Sequence, residues 1–267
     1  MLPLWTNRCL MSISAIGVAM VEISSITQNI VEKQFYPFGD LHNPDQQNIN
    51  QIVNVILEKH RKSKRQKLQV ILSSDFIRFM VLPAQSKYLN NSDRWALANA
   101  LYREVYGSLC ENWMIAFDDS PPYESTLCAA IDIGLIDHLK MSASHHNFVL
   151  TSVVPYATTL INQLNLSAFH GYVALIEPAR LVFVEFNETL QNIQQVKCRN
   201  GWINPLQQIL KKTELFSSLD SKKLIICSPQ KNELNLSEFD DWQISFAKTH
   251  HLIQEGETDY QMILGGL

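Results

Sequence analysis

The dipeptide Asn-Pro occurs twice in equivalent surroundings, at Asn43–Pro44 and Asn204–Pro205, about 160 residues apart. Each can cap a helix and set a proline in its first turn, where the missing N–H is no loss. Before the first stand two apolar runs, Arg8–Ile16 and Val18–Ser24, joined at Gly17, and then the more polar Thr27–Phe35. Before the second stand Tyr172–Ile176 and Leu181–Phe186 around Pro178-Ala179-Arg180, and then the more polar Leu190–Cys198. Ile49, Ile52, Val53, Ile56 and Leu57 follow the first Asn-Pro at helical spacing, as Leu206, Ile209 and Leu210 follow the second. Each helix leads into a short apolar strand, at Leu68 and at Leu224–Cys227. A strand-turn-strand, strand, helix, strand unit used twice predicts a duplicated α/β fold. Gly17 is expected to turn the first hairpin through a positive φ.

The stretch Leu68–Pro83, LQVILSSDFIRFMVLP, places the remainder of the chain. Val70–Leu72 reads as a strand buried on both faces, Ser73-Ser74-Asp75 interrupts it, and a second apolar run continues from Phe76 to Pro83. The pattern then predicts a helix over Ser92–Cys110, strands over Asn112–Phe117 and Thr126–Asp132, a helix over Ile133–Ser144, a strand over Phe148–Val154 and a helix over Tyr156–Leu164. On the first of these helices Trp95, Ala98, Leu101, Tyr102, Val105 and Leu109 share a face. Residues from 76 to about 124 read as an α+β subdomain inserted in the first half. The chain then divides into a first half, 1–168, and a shortened second half, 169–267, whose C-terminus ends in a short helix.

A chain of 267 residues with 46% hydrophobic and 18% charged content can bury a sizeable core, and its net charge of −4 gives no global attraction to nucleic acid. The five cysteines, Cys9, Cys110, Cys128, Cys198 and Cys227, are odd in number and scattered through apolar segments. They read as reduced core residues of a cytoplasmic protein. Cys9–Val21 behind Arg8 has the outline of a secretory signal, but the turn at Ile16–Gly17 and the strand after it favour a hairpin. No other stretch approaches a membrane span. The strongest charge feature is Lys59–Lys67, with six Lys or Arg in nine residues. It complements a helix C-terminus, and its Lys62, Lys64, Arg65 and Lys67 are candidates for contact with anionic lipid at a membrane surface. Nucleic acid is disfavoured because no aromatic residues interleave with these charges.

VILSSDFIRFMVLP, the helix ending REVYG, the strand TLCAAID, the helix Ile133–Ser144 and VVPYATTLINQL resemble the PilM family of pilus-assembly proteins. They are also similar to the cytoplasmic domain of the type II secretion protein GspL. Letters match best over Val70–Leu164, and layout over most of residues 8–228. The resemblance implies an actin-like, ribonuclease H-like duplicated α/β fold. It also implies a cytoplasmic protein peripheral to the inner membrane, on the platform of a pilus or secretion machine. PilM-like proteins bind a nucleotide between their halves and a short tail of a bitopic membrane protein; GspL-like domains have a degenerate cleft and bind the assembly ATPase.

In such a cleft two hairpins bring carboxylates, small residues and backbone N–H groups to the phosphates and magnesium. By strand register the first-hairpin aspartate falls at Ser12, the following glycine at Ser14 and the usual lysine at Ala19. In the second hairpin Glu177 stands near the aspartate position, but Pro178, Ala179 and Arg180 replace the glycine and hydroxyl residues. Proline also withholds an N–H. Ser12, Ser14 and Glu177 are therefore read as vestigial, with no cofactor and no catalytic residue expected. No metal site is expected either. The adjacent pairs His145–His146 and His250–His251 point apart and read as surface residues. The aspartates Asp75, Asp118, Asp119, Asp132 and Asp137 lack a first-strand carboxylate at Ser12, which a ribonuclease H-like nuclease needs for its metals.

The expected function is a non-catalytic adaptor or scaffold binding a membrane partner's tail or an assembly ATPase. Phe76, Arg78, Trp95, Tyr102 and Trp113 of the insertion are the candidates for a peptide-docking face. A nucleotide-binding ATPase or switch is the alternative, and a self-assembling homo-oligomer a third.

Overall fold

The computed structural model describes residues 7–39, 46–84, 90–118, 121, 124–164, 166, 168–198, 201–216, 221–228, 241–247 and 258–264. In chain order the first elements are β1 (Arg8–Ile13), β2 (Gly17–Ile23), β3 (Ile30–Pro37), α1 (Gln46–Lys59), β4 (Gln66–Leu72), β5 (Ile77–Leu82), α2 (Asn91–Tyr106), β6 (Trp113–Phe117), β7 (Thr126–Asp132), α3 (Ile133–His145), β8 (Phe148–Pro155) and α4 (Tyr156–Gln163). They are followed by β9 (His170–Ile176), β10 (Arg180–Asn187), β11 (Thr189–Lys197), α5 (Ile203–Phe216), β12 (Lys223–Cys227), β13 (Gln243–Phe246) and α6 (Gln261–Leu264). The chain divides into two compact units. One comprises Met1–Phe76, Ile133–Leu160 and Thr249–Leu267, the other Ile77–Asp132 and Ile161–Lys248.

The first unit is built on a five-stranded sheet of order β3-β2-β1-β4-β8. β1 to β3 are antiparallel neighbours, whereas β4 and β8 run parallel to β1, as strands reached through a crossover helix must. One face carries Leu10, Ala19, Val21 and Ile23, which pack with Ile263 of α6. α1 buries Ile49, Val53, Ile56 and Leu57, its apolar stripe, and packs beside α3.

The second unit repeats the plan, with order β11-β10-β9-β12-β13 and the same strand senses. Tyr172, Ala174, Leu181, Phe183, Leu206, Leu210, Leu224 and Ile226 form its core. The unit also holds the inserted subdomain, a three-stranded antiparallel sheet β5-β7-β6 covered by α2. Its docking is specific. The side-chain amide of Gln195 on β11 accepts from the Phe79 N–H at 3.3 Å and donates to the Ile77 carbonyl at 3.1 Å. One side chain thus serves the open edge of β5 in place of a ladder partner, which leaves fewer buried backbone groups unpaired. Ser125 adds a hydroxyl bond to the Leu190 carbonyl.

Several sequence expectations shift in position or cause. Gly17 opens β2 and is not among the positive-φ residues. Its requirement is steric, for a Cβ there would lie 2.5 Å from the Tyr36 carbonyl oxygen and 2.6 Å from the Phe35 ring. Asn204 and Pro205 do not cap α5, which begins at Ile203; they occupy its first turn, where the proline's absent N–H has no intrahelical partner to lose. Asn43–Pro44 lies outside the described residues. α2 ends at Tyr106, and Gly107–Asn112 winds on as a 3-10 turn. Leu109 lies in that turn and is 72% exposed, and Val105, still within α2, is 63% exposed, so neither belongs to the buried stripe. β13 was not expected at all: four mixed residues carry no strand signal until β12 offers them an edge.

Candidate functional site

The two hairpin turns are closed on themselves. In the first, the Ser14 hydroxyl donates to the Gly17 carbonyl at 3.1 Å and accepts from the Ile16 N–H at 3.3 Å, while the Ser14 N–H also bonds the Gly17 carbonyl. Ser12 lies two residues back, 3% exposed, between Ala19 and Ile71. In the second, the Glu177 N–H donates to the Arg180 carbonyl at 2.8 Å and the Cys198 N–H to the Ala179 carbonyl at 2.9 Å. Glu177 itself is 3% exposed. The Ser14 hydroxyl and the N–H groups of Ser14, Ile16, Glu177 and Arg180 are therefore spent within their own turns, and Pro178 has no N–H to offer.

The basic run behaves differently from a plain solvated loop. Lys59, Arg61, Lys64, Arg65 and Lys67 are exposed at one end of the first unit. Lys62 turns inward and ion-pairs with Glu22, a carboxylate on β2 that is only 2% exposed and also accepts from Asn7 at 2.6 Å. Burial by itself would raise the Glu22 pKa, but the Lys62 and Asn7 hydrogen bonds and the Lys62 charge outweigh it and hold the carboxyl below its ordinary value. Burial pushes the neighbouring Cys9 thiol up to about 12, so it is no nucleophile at neutral pH. The only sequence signal for this centre is a lone glutamate inside the apolar run Gly17–Ile23.

Two buried histidines brace the same loop. His60, 7% exposed, sets Nδ1 3.6 Å from Glu32, and His146, 5% exposed, sets Nδ1 2.9 Å from Glu58. His146 is thus no surface residue, although its neighbour His145 is exposed; His250–His251 lies outside the described residues. Burial depresses both imidazole pKa values against the pull of the facing carboxylates. As pH falls through the ordinary imidazole value of about 6.5, the unfolded chain binds protons that the fold refuses. Stability is then complete above about pH 6.5 and declines below it, toward the depressed folded values. Urea unfolding at pH 7.5 and 5.5 is expected to show this loss, and His60→Gln and His146→Gln each to shrink the difference between the two pH values. An unchanged difference in both would refute the assignment.

The five insertion candidates do not form one surface. Tyr102 is wholly buried, 0% exposed, and its hydroxyl donates to the carbonyls of Arg78 at 2.7 Å and Cys128 at 3.2 Å. It is a core residue, as the alternation of α2 against the sheet requires. Trp113 is half-buried, edge-on to Tyr106 at 5.0 Å and to Tyr102 at 6.1 Å. Arg78 is half-buried and bonds the Ile77 carbonyl, and Phe76 belongs to the other unit. Trp95 alone of the five is exposed, at 42%, resting edge-on against Phe117. Among the described residues no group of three His, Cys, Asp or Glu side chains could hold a metal ion, and no helix is long and apolar enough to cross a membrane.

By sequence the chain matches no family profile and none of the curated proteins. Solved structures do resemble it. The PilM-PilN type IV pilus biogenesis complex aligns at a TM-score of 0.64 with 11% identity, covering 98% of this chain and 97% of that one. A Bacteroides thetaiotaomicron protein with an actin-like ATPase fold and unknown function aligns at 0.61 and 13% identity over 91% of both chains. The cytoplasmic domain of EpsL, an inner-membrane component of the Vibrio cholerae type II secretion system, aligns at 0.57 and 13% identity, covering 96% of this chain and 94% of that one. The chain thus has the actin-like fold, and the PilM-PilN and EpsL structures it is similar to are of the two kinds that the sequence resembles.

Proposed function

We propose that this protein is a non-catalytic, actin-like adaptor on the cytoplasmic face of a type IV pilus or type II secretion assembly, where it binds the cytoplasmic tail of a membrane partner or the assembly ATPase. The observation that carries this reading is the state of the two hairpin turns: Ser12 and Ser14 stand where a carboxylate and a glycine would be needed, Glu177 is buried, and the Ser14 hydroxyl and the N–H groups of Ser14, Ile16, Glu177 and Arg180 bond within the turns. Shape then remains as the working property of the fold. The exposed Trp95, with Val105 and Leu109 on the same subdomain, supplies apolar surface for a partner. Lys64, Arg65 and Lys67 would add about 1 kcal/mol each near an anionic bilayer, a peripheral and reversible contact.

Two titrations of the purified full chain test the proposal. Mg·ATP is expected to give no calorimetric binding at micromolar concentration. A synthetic peptide of the cytoplasmic tail of a candidate bitopic membrane partner is expected to bind, and Trp95→Ala to weaken it by about tenfold or more. Micromolar Mg·ATP affinity that disappears in Glu177→Ala would instead establish a nucleotide-dependent switch.

A further inference from the structure

Among the described residues every sheet edge but one is blunted. β3 carries Glu32 and Lys33, bulges where it passes Glu22 and Ile23, and ends at Pro37. β8 bulges where it passes Leu68 and Gln69 and ends at Pro155. β13 is four residues long, and the edges of β11 and β5 are joined through Gln195. Charges, prolines, bulges and shortness are the devices that keep an edge strand from pairing with another chain. β6, Trp-Met-Ile-Ala-Phe, has none of them. It is five apolar residues of mostly high strand propensity, paired with β7 on one side and, among the described residues, with no strand on the other.

The ladder fixes which backbone groups face the open side. The Asp118 N–H bonds the Leu127 carbonyl at 3.0 Å, one step beyond the pair Phe117 and Cys128, so by the alternation of an antiparallel ladder Ala116 and Met114 turn their backbone groups toward β7. Trp113, Ile115 and Phe117 turn theirs outward. The Trp113 N–H is taken by the Cys110 carbonyl, which leaves the Trp113 carbonyl, both groups of Ile115 and the Phe117 N–H at the centre of the edge. That set is self-complementary. With a two-fold axis at Ile115, a second β6 lies antiparallel, the two Ile115 residues exchange both their bonds, and each Phe117 N–H meets the Trp113 carbonyl of the other copy. On the face toward α2, Trp113 then stands across from Phe117, an aromatic pair; on the other face the exposed Met114 stands across from the exposed Ala116, large against small. No charge lies within the strand to repel its own copy. We propose that β6 pairs with β6 of a second copy of this chain, joining two three-stranded sheets β5-β7-β6 into one across a two-fold axis. The dimer rests on the inserted subdomain alone and does not require the platform role.

Sedimentation velocity of the full chain tests it. A five-residue edge makes a small interface, so a monomer is expected to give way to a dimer with a dissociation constant of about 10–100 μM. Met114→Lys and Ala116→Glu should each weaken the dimer by about tenfold or more, because in the two-fold pair each sets two like charges as diagonal neighbours on one face. The double variant Met114→Lys/Ala116→Glu sets lysine opposite glutamate twice and should restore it. Both side chains are exposed, so the variants report pairing rather than folding, and circular dichroism checks this. Amide exchange at Ile115 and Phe117 is expected to slow as concentration rises. A chain monomeric at every concentration up to about 500 μM, single variants that dimerise as the wild type does, or a double variant no better than the single ones overturns the proposal. So does association that continues beyond the dimer, which an isologous contact closed by a two-fold axis does not give.

Discussion

Tyr102→Ala is expected to destabilise the inserted subdomain by about 3–5 kcal/mol, the range for deleting a large aromatic side chain from a packed core. The ring has no exposure and packs among Leu82, Ala98, Ile115, Cys128 and Ala130 between α2 and its sheet. Its stacked contact with Tyr106 and edge contact with Trp113, both at centroid distances of 6.1 Å, go with it. Burial raises the phenol pKa, so the hydroxyl remains a donor to the Arg78 and Cys128 carbonyls at any working pH. Tyr102→Phe keeps the volume and removes only these bonds, and about 1 kcal/mol is expected from it. The two variants therefore separate packing from hydrogen bonding. Urea unfolding followed by tryptophan fluorescence, with hydrogen exchange of β5 to β7 as the local readout, measures both. A Phe variant as damaged as the Ala variant would mean that the bonds, rather than the ring, hold α2 to the sheet.

Lys62→Met is the second large effect, about 2–3 kcal/mol at neutral pH, because it strands a charged Glu22 in the sheet with the Asn7 side-chain amide as its donor, and a buried charged group short of partners is costly. The Lys62 side chain is itself half-exposed, so the figure stays below that of a fully buried pair. The sign with pH follows from the lowered Glu22 pKa. The wild-type pair contributes fully above the unfolded carboxyl value and loses its contribution as pH falls through the lower folded value. In the Met variant Glu22 has lost that support and takes up a proton more readily. The penalty of the substitution is therefore expected to shrink on acidification, as neutralised Glu22 no longer needs the ammonium. Urea midpoints of wild type and Lys62→Met between pH 7.5 and 4 measure it; a penalty independent of pH would rule out Glu22 as the cause.

Both effects bear on what the protein presents to partners. Tyr102 holds the helix that displays Trp95, and Glu22 ties the half-exposed Lys62 to the sheet beside the exposed Lys64, Arg65 and Lys67. A titratable carboxylate beneath a basic loop ties the loop's shape to the fold, so Lys62→Met should also change how the loop meets an anionic surface. Lys64→Glu, on the exposed side, lacks that coupling.

The duplication was legible from residue spacing, because apolar periodicity and turn chemistry are local properties that each copy must satisfy for itself. For the same reason the strand Thr126–Asp132 and the helix starting at Ile133 could be read to the residue. Boundaries drifted where local signals compete, as at Asn204–Pro205, which caps as well as it continues a first turn. Tyr102 fits both the apolar face of its helix and a docking face on sequence alone, because helical spacing tells which residues share a face, not whether a sheet covers it; the sheet does cover it.

What only tertiary structure decided is how distant polar groups meet. Lys62 finds Glu22 and Gln195 finds the edge of β5 because strand order brings them together across 40 and 118 residues of chain. Hydrophobic burial needs only a period, so a single sequence can announce it. A hydrogen bond or ion pair needs a particular atom within about 3 Å of another, and that distance is set by the assembled sheet and by nothing nearby in the chain.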